Sequence, residues 1–220
     1  MDRARVLAAQ GASSTLDATG RQSLADEVQA LQEEMVAYSQ TAVQGRFLFS
    51  GDVDSTPSYE VDGSSSTGVT QTNTSAATRQ MENPAGGSFA ASLTAQSIFD
   101  TRNADGSAAS DSTFAALHNL RAALLANDPN GTAGTITSLQ AASDRLNSAE
   151  AFYGVVQRRI EQAKSYAQNY DTQLQTQTSE KEDADIAAAA TQLTMANTQL
   201  QAALQMRAKL PNHSLFDYLG

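Results

Sequence analysis

Apolar residues recur every three or four positions in several stretches of the chain, which predicts amphipathic helices. The first stretch covers Met1 to Gln10 and stops at Gly11, and it begins in mid-pattern without an N-cap residue. The second covers about Gln22 to Gln44, and we expect Gly45 to end it as a C-cap glycine. The apolar positions of this second helix fall on one narrow face: Leu24, Val28, Leu31, Met35, Tyr38 and Ala42.

The strongest periodicity starts at Leu139 and alternates three- and four-residue steps without a break as far as Leu174. This is a heptad pattern, and at a rise of ~1.5 Å per residue the helix would be roughly 50 Å long. Because a helix of that length does not fit inside a compact domain of this size, we expect it to pack lengthwise against the second helix. Its row is Leu139, Ala142, Leu146, Ala149, Tyr153, Val156, Ile160, Ala163, Ala167, Tyr170 and Leu174.

Two further helices flank this stretch. A short one is predicted from Thr113 to Ala126, before a turn over Asn127–Gly131. A terminal one is predicted from about Glu182 to Lys209, with Pro211 stopping it. Its large apolar residues are Ile186, Leu193, Leu200 and Leu204, with alanines between them. Its start is acidic and its end is basic, which is the arrangement that a helix dipole favours.

The region between Gly45 and Ser112 is rich in Ser, Thr, Gly and Asp and lacks helical periodicity. We predict a small β-rich insert with turns at Asp62-Gly63 and Asp105-Gly106, partial disorder being the alternative. The predicted strands are Arg46–Phe49, Ser58–Val61, Gly68–Gln71 and Ser97–Thr101.

The predicted fold class is therefore mainly α, an elongated rod of long antiparallel helices that carries a small β-rich insert. Residues 1–51 would form the N-terminal part of the rod and residues 52–112 the surface insert. Residues 113–178 would form the C-terminal half of the rod, and residues 179–220 a terminal helix.

Charge and composition narrow the classes of function. The formal net charge of −10 disfavours a nucleic-acid-binding surface, which needs clustered Lys and Arg. The absence of cysteine removes disulfides, thiol nucleophiles and thiolate metal ligands. No apolar run approaches the roughly 20 residues that span a bilayer, and the start is no secretory signal peptide. Export would therefore use a route that needs no such signal.

The sequence predicts no catalytic, metal or cofactor site. His118 lies beside an apolar row with no acidic residue or second histidine within a helical turn, and His213 lies in a polar tail. The acidic run Glu180–Asp185 lacks the glycine and the spacing of a calcium-binding loop, so a solvated helix start is the better interpretation. The remaining candidates are interpreted as turns: Asp52, Asp54 and Gly86-Gly87.

Five segments resemble the bacterial flagellin family. Residues 3–12 (RARVLAAQGA) are similar to the family's RARELAVQAANGT stretch, and residues 21–31 to the helix that follows it. Residues 45–51 (GRFLFSG) resemble the NGRYLFSG motif of the family's hook–filament junction members. Residues 181–186 resemble the start of the family's C-terminal helix, LEDADxAxA, and residues 214–219 resemble the junction members' SLLDYL tail.

The resemblance implies a structural subunit of the extracellular bacterial flagellum, secreted unfolded through the flagellar export apparatus. The implied partners are further copies of the subunit, flagellin, another hook-associated protein and an export chaperone. No cofactor, nucleic acid or membrane is implied. Within the terminal helix, the apolar pattern predicts the assembly interface at Ile186, Leu193, Leu200 and Leu204.

The resemblance also shows one departure from the family pattern. Flagellin-family members carry several tens of residues before the stretch matched here, and that segment pairs with the C-terminal helix. A chain that lacks the segment is expected to fold but neither to polymerise nor to be exported.

Two alternatives to a hook–filament junction subunit remain at this stage. One is a filament flagellin or flagellin-like protein. The other is a secreted coiled-coil binding module, which would dimerise through the Leu139–Leu174 row, whereas the flagellar interpretation predicts a monomer while the chain ends are unpaired. An enzyme ranks last.

Overall fold

The computed structural model describes residues 1–209, apart from the side chains of residues 183 and 184. The chain divides into two units, Met1–Ala163 and Lys164–Gly220. The helices within the described range are α1 (Asp2–Gly11), α2 (Ala18–Ser39), α3 (Ala95–Phe99), α4 (Thr113–Leu125) and α5 (Pro129–Lys209). Because α5 alone has 81 residues and the strands are short, the predicted mainly α class with a small β-rich insert is confirmed.

Helix α2 ends earlier than predicted. The Asp17 carboxylate caps its start by accepting a hydrogen bond from the Gly20 amide at 2.8 Å, and the helix stops at Ser39. The chain then forms a tight hairpin of β1 (Ala42–Val43) and β2 (Arg46–Phe47). Gln44 and Gly45 have φ of 54° and 76°, as both central residues of a type I′ turn require. The prediction of Gly45 as a helix C-cap was therefore wrong.

The buried face of α2 also differs from the predicted row. Its fully buried residues are Arg21, Ala25, Val28, Gln32, Val36 and Ser39. Leu24, Leu31 and Met35 are only partly buried, and Tyr38 is exposed. Polar residues can occupy the buried face because each finds a partner there. The Gln32 amide, for example, donates to the Thr67 carbonyl at 2.8 Å.

The insert consists of short antiparallel pairs. The strands are β3 (Tyr59–Val61) with β4 (Val69–Gln71), and β5 (Gln80–Glu82) with β6 (Ser88–Ala90). The first pair confirms two of the predicted strands, whereas the second pair was not predicted. Gly86 and Gly87 have φ of 105° and 82° in the β5–β6 connection, which confirms the turn predicted there.

The predicted strand over Ser97–Thr101 was wrong, because this segment lies largely in helix α3. The Thr94 hydroxyl caps α3 by accepting a hydrogen bond from the Ser97 amide at 3.3 Å. The turn predicted at Asp105-Gly106 is confirmed: Gly106 has a φ of 83°, and the Asn103 amide donates to the Ser107 carbonyl at 2.9 Å.

Helices α4 and α5 form a tight helical hairpin. Ser112 caps α4, and Asn127 adopts a φ of 53° in the short connection that follows. Helix α5 starts at Pro129, where a proline costs no hydrogen bond, so the predicted turn is shorter than Asn127–Gly131. The gap predicted between the helix of the Leu139–Leu174 row and the terminal helix is also absent. Residues 175–181 lose the apolar periodicity but contain neither Gly nor Pro to end a helix.

The core of residues 1–163 consists of two apolar clusters. The first joins α1, α2, α4 and α5 through Leu7, Ala25, Val28, Leu117, Leu120, Leu124, Leu139 and Ala142. The second joins the insert to the helices through Val36, Tyr59, Val69, Ala95, Ile98, Phe99, Phe114 and Ala149. The predicted packing of the Leu139–Leu174 row is therefore confirmed as far as Val156, whereas Ile160, Tyr170 and Leu174 are exposed.

Candidate assembly surface

The C-terminal part of α5 presents a row of large aliphatic side chains to solvent. Every side chain that the structure describes between residues 164 and 209 is exposed. Ile186 is 67% exposed, Leu193 64%, Leu200 59% and Leu204 56%. These are the four residues that the sequence predicts as the assembly interface, and a contiguous row of this kind is typical of an interaction surface.

The chemistry of this row is apolar along its length and charged only at its ends. Ile186, Leu193 and Leu200 are one heptad apart, with Ala189 and Ala196 between them on the same face. No charged residue occurs between Ile186 and Met206. Charged residues flank the row on both sides, with Glu180, Glu182 and Asp185 before it and Arg207 and Lys209 after it.

The threonines of this helix satisfy their own hydroxyl groups. Thr191, Thr194 and Thr198 each donate to the backbone carbonyl four residues earlier, at 2.9, 2.8 and 2.9 Å. A neighbouring molecule that covered the row would therefore not need to supply hydrogen-bond acceptors for these threonine hydroxyls. The surface offers apolar contact with charge recognition at the two ends.

A second exposed apolar group lies earlier on the same helix. The rings of Tyr166 and Tyr170 stack with centroids 6.4 Å apart and planes 4° apart, and Leu174 follows one turn later. Of these residues, Tyr170 and Leu174 continue the heptad pattern that is buried up to Val156. The described side chains of residues 164–209 do not bury Tyr166, Tyr170 or Leu174.

A buried polar centre ties the insert to the helices. The Asp100 carboxylate is fully buried and accepts hydrogen bonds from the Tyr59 hydroxyl at 3.1 Å and from Arg102 Nε and Nη2 at 2.9 and 2.5 Å. Ser112, the cap of α4, donates to the same carboxylate at 3.3 Å. Burial and the neighbouring Asp100 charge raise the pKa of Tyr59, which therefore stays protonated. The arrangement is structural, since the Tyr59 and Asp100 side chains are enclosed.

The isolated polar residues considered as candidates for catalysis or metal binding have structural surroundings where the structure describes them. His118 lines a shallow cleft with Gln32, Gly68 and Arg121, and burial together with the Arg121 charge lowers its pKa. His213 lies outside the described residues. Asp54 accepts from Arg46 at 3.4 Å and from Arg79, which makes it a turn contact of the insert.

Two features bear on metal and membrane binding. Among residues 1–209, excepting side chains 183 and 184, no three His, Asp or Glu side chains come together in a way that could hold a metal ion. None of the helices in that range combines the length and the hydropathy needed to cross a membrane.

The sequence did not reveal one apolar groove between the insert and α5. It is lined by Leu48, Phe49, Met81, Ala91 and Tyr153. Met81 belongs to β5, which carries only three residues, all exposed, and so shows no alternating pattern that could have predicted it.

Comparison with known proteins finds a family that is similar to the part of the chain that carries the exposed row. Residues 136–219 match the family model of the bacterial flagellin C-terminal helical region. This match includes all four residues of the predicted interface. No curated protein matches the sequence.

Solved structures support the same fold. A crystal structure of FlgL from Xanthomonas campestris in space group C2 is 17% identical, covers 81% of this chain and 88% of its own, and has a TM-score of 0.61. A second crystal form, in space group H3, is 17% identical, covers 74% and 84%, and has a TM-score of 0.57. A putative flagellar hook-associated protein from Vibrio parahaemolyticus, 17% identical over 76% and 77%, reaches only 0.44, from which no fold is inferred. The resemblance to bacterial flagellins is thus confirmed, with residues 136–219 matching their C-terminal helical region and the fold matching that of FlgL.

Proposed function

We propose that this chain is a non-enzymatic structural subunit of the bacterial flagellum that joins the hook to the filament. The observation that carries the proposal is the exposed Ile186–Leu204 row, which lies on the part of α5 that matches the flagellin C-terminal helical region. The sequence motif at residues 45–51 and the tail at residues 214–219, which lies outside the described residues, favour the junction role over that of a filament flagellin.

The row supplies the physical basis for assembly. A Leu or Ile side chain that becomes fully buried contributes about 1.5–3 kcal/mol, so four such residues on one helix provide a contact of several kcal/mol. An isolated helix is marginally stable in water, because most helical stability in proteins comes from packing an amphipathic face. Burial of this row would therefore stabilise the terminal helix and connect subunits in one step.

The proposed partners follow from this role. On assembly the Ile186–Leu204 row would pack against neighbouring flagellar subunits, which include further copies, flagellin and another hook-associated protein. Before export, a chaperone that covers the row would prevent premature association. The subunit would then be secreted and would act at the extracellular flagellum, without cofactor, nucleic acid or membrane.

Gene deletion with complementation tests the proposal. We expect the deletion strain to keep its hooks, lack filaments and release flagellin into the medium. The wild-type gene should restore filaments, and a Leu193→Asp, Leu200→Asp double variant should not. Leu174→Asp, an exposed leucine of the same helix outside the row, is the matched control and should restore them. Normal filaments in the deletion strain, or full rescue by the double variant, would contradict the proposal.

A secreted coiled-coil binding module is the second candidate, because Ile160, Tyr170 and Leu174 continue a heptad row in exposed positions. It requires dimerisation through that row. Loss of dimerisation in Leu174→Asp, with filament formation unaffected by deletion of the gene, would support it.

A further inference from the structure

The β3–β4 segment, residues 59–71, rests on α2 and α4 through its connecting turn. Thr67 and Gly68 of this turn are buried, and the Gln32 amide of α2 donates to the Thr67 carbonyl at 2.8 Å. The His118 imidazole of α4 reaches the same turn, because a Cβ at Gly68 would lie 2.9 Å from its Nδ1. His118 is therefore part of the surface on which the segment lies.

The surroundings of His118 suit a neutral ring and disfavour a charged one. Within the part of the chain that the structure describes, the ring forms no hydrogen bond. Helix α4 carries one further charged residue, Arg121, which lies one turn later and donates from Nη2 to Gln29 Oε1 at 2.9 Å. Burial and this fixed positive charge both oppose protonation, which is why the pKa of His118 lies below its ordinary value.

The carboxylates near the cleft are held by their own elements. Glu33 of α2 lines the cleft, and its carboxylate accepts a hydrogen bond from Gln29 Nε2 at 2.9 Å. The strand residue that lines the cleft is Val61, so Glu60 and Asp62 on either side of it project to the opposite face. The Asp62 carboxylate accepts hydrogen bonds within its own segment. The guanidinium of α4 is therefore the charge that dominates at the imidazole.

We propose that protonation of His118 releases the β3–β4 segment from α2 and α4, which makes this contact an acid-sensitive latch. With the segment in place, the imidazolium is partly enclosed beside a fixed cation. With the segment lifted, the ring regains water, so acid shifts the population toward the lifted form. The latch uses residues between positions 29 and 121 and does not depend on the hook–filament role.

The direction and the window of the pH effect follow from linkage between protonation and folding. Folding lowers the pKa of His118 from its ordinary 6.5, so the latch is at full strength above pH 6.5. It weakens as the pH falls from 6.5 toward the lower pKa of the folded state, and below that pKa no further weakening occurs. Each full unit between the two values raises the lifted population about tenfold.

An NMR titration of the imidazole signals is the first measurement, because the chain contains only two histidines, His118 and His213. His213→Gln assigns the two signals and serves as the matched control. We expect a His118 midpoint below 6.5, and Arg121→Gln should raise it because the neighbouring charge is gone. A midpoint at or above 6.5, or one that Arg121→Gln leaves unchanged, would overturn the proposal.

Amide hydrogen exchange at about pH 7.5 and 5.5, a range in which histidine is the side chain that ordinarily titrates, is the second measurement. Each rate is divided by the intrinsic rate at the same pH. The Asp62 and Gly68 amides, which donate to carbonyls of their own segment, should lose protection on acidification in the wild type and in His213→Gln. The loss should equal the factor that the measured midpoint of His118 sets, while amides of α4 keep their protection.

His118→Gln removes the titrating group and should show the same protection of the β3–β4 segment at both pH values. Arg121→Gln keeps the imidazole but moves its midpoint toward the ordinary value, so this variant should lose less protection on acidification than the wild type. Far-UV circular dichroism checks that each variant is folded. An undiminished loss in folded His118→Gln, a loss in Arg121→Gln as large as in the wild type, or an equal loss in α4 would each overturn the latch.

Discussion

Removal of the Asp100 carboxylate is the most informative perturbation of the fold, because it affects the insert and the helices together. Asp100 follows α3 and binds Tyr59 of β3, Arg102 and the Ser112 cap of α4. Around it, Tyr59 packs on Phe114 with ring centroids 5.1 Å apart. Asp100→Ala would thus leave a buried hydroxyl and a partly buried guanidinium without their acceptor.

The structure sets the size of the effect. Breaking a buried ion pair by removal of one partner costs about 3–5 kcal/mol. The Arg102 side chain keeps 29% of its surface exposed and can recover part of its solvation, so the lower end of that range applies, about 3 kcal/mol. A domain of this kind has a free energy of unfolding of about 5–15 kcal/mol, so the loss is a large part of the total.

Urea denaturation followed by near-UV circular dichroism measures this loss, because Tyr59 is fully buried and its signal depends on the packing of residues 1–163. The Arg3–Glu27 pair between α1 and α2 provides the control, since both side chains are exposed and Glu27→Ala should leave the midpoint unchanged. If Asp100→Ala unfolds at the same urea concentration as Glu27→Ala, Asp100 does not hold the insert on the helices and the argument fails.

Three further predictions follow from local geometry. Gly68→Ala should lower the free energy of unfolding by about 1–3 kcal/mol, because Gly68 has a φ of 71° and a Cβ there would lie 2.1 Å from Gln32 Nε2; Gly63→Ala, in open space, is the neutral control. Hydrogen bonds from Ser64 and Thr70 lower the pKa of Asp62 from its ordinary 3.8 to about 2. The stabilising contribution of this carboxylate should therefore be complete above pH 3.8 and vanish as the pH falls through 2, and an NMR titration of its carboxyl carbon should show that midpoint. Amide hydrogens of residues 164–209 should exchange faster than those of the buried turns of α5, because their side chains form no core; equal protection in a dilute sample would contradict this.

The sequence predicted most helices because their apolar spacing is local, and it failed where long-range partners decide the outcome. In α2, periodicity selects Leu24, Leu31 and Tyr38, whereas the buried face includes Arg21 and Gln32. Arg21 is accommodated because it donates to the carbonyls of Gly11 and Ser13 and to the Asn127 side chain, and none of these contacts is visible in the spacing.

The wrong strand prediction over Ser97–Thr101 differs from the error in α2, because the sequence contains a local signal for a helix there. Thr94 stands three residues before Ser97 as an N-cap, and this signal points to the helix that the structure contains. The two missed strands β5 and β6 had no comparable signal, since each has three residues and pairs only with the other.

The Leu139–Leu174 row shows what periodicity can establish about the candidate site. The pattern continues without a break, yet its side chains are buried only as far as Val156. A heptad row predicts that a helix packs against something, and it does not state that the partner belongs to the same chain. The same argument applies with more force to Ile186–Leu204, whose side chains touch no core within the described residues.

The stability of the terminal helix and the identity of its partner are therefore coupled. A helix without packing is close to the balance between helix and coil, so a ligand that binds only the helical form shifts that balance by mass action. Helix content of residues 164–209 should then depend on protein concentration if a second copy covers the row. If a different subunit covers the row on assembly, helix content should instead depend on the concentration of that subunit. A helix content that changes neither with protein concentration nor with added subunit would show that the helix forms without its partner. Folding of this segment would then be separate from its assembly.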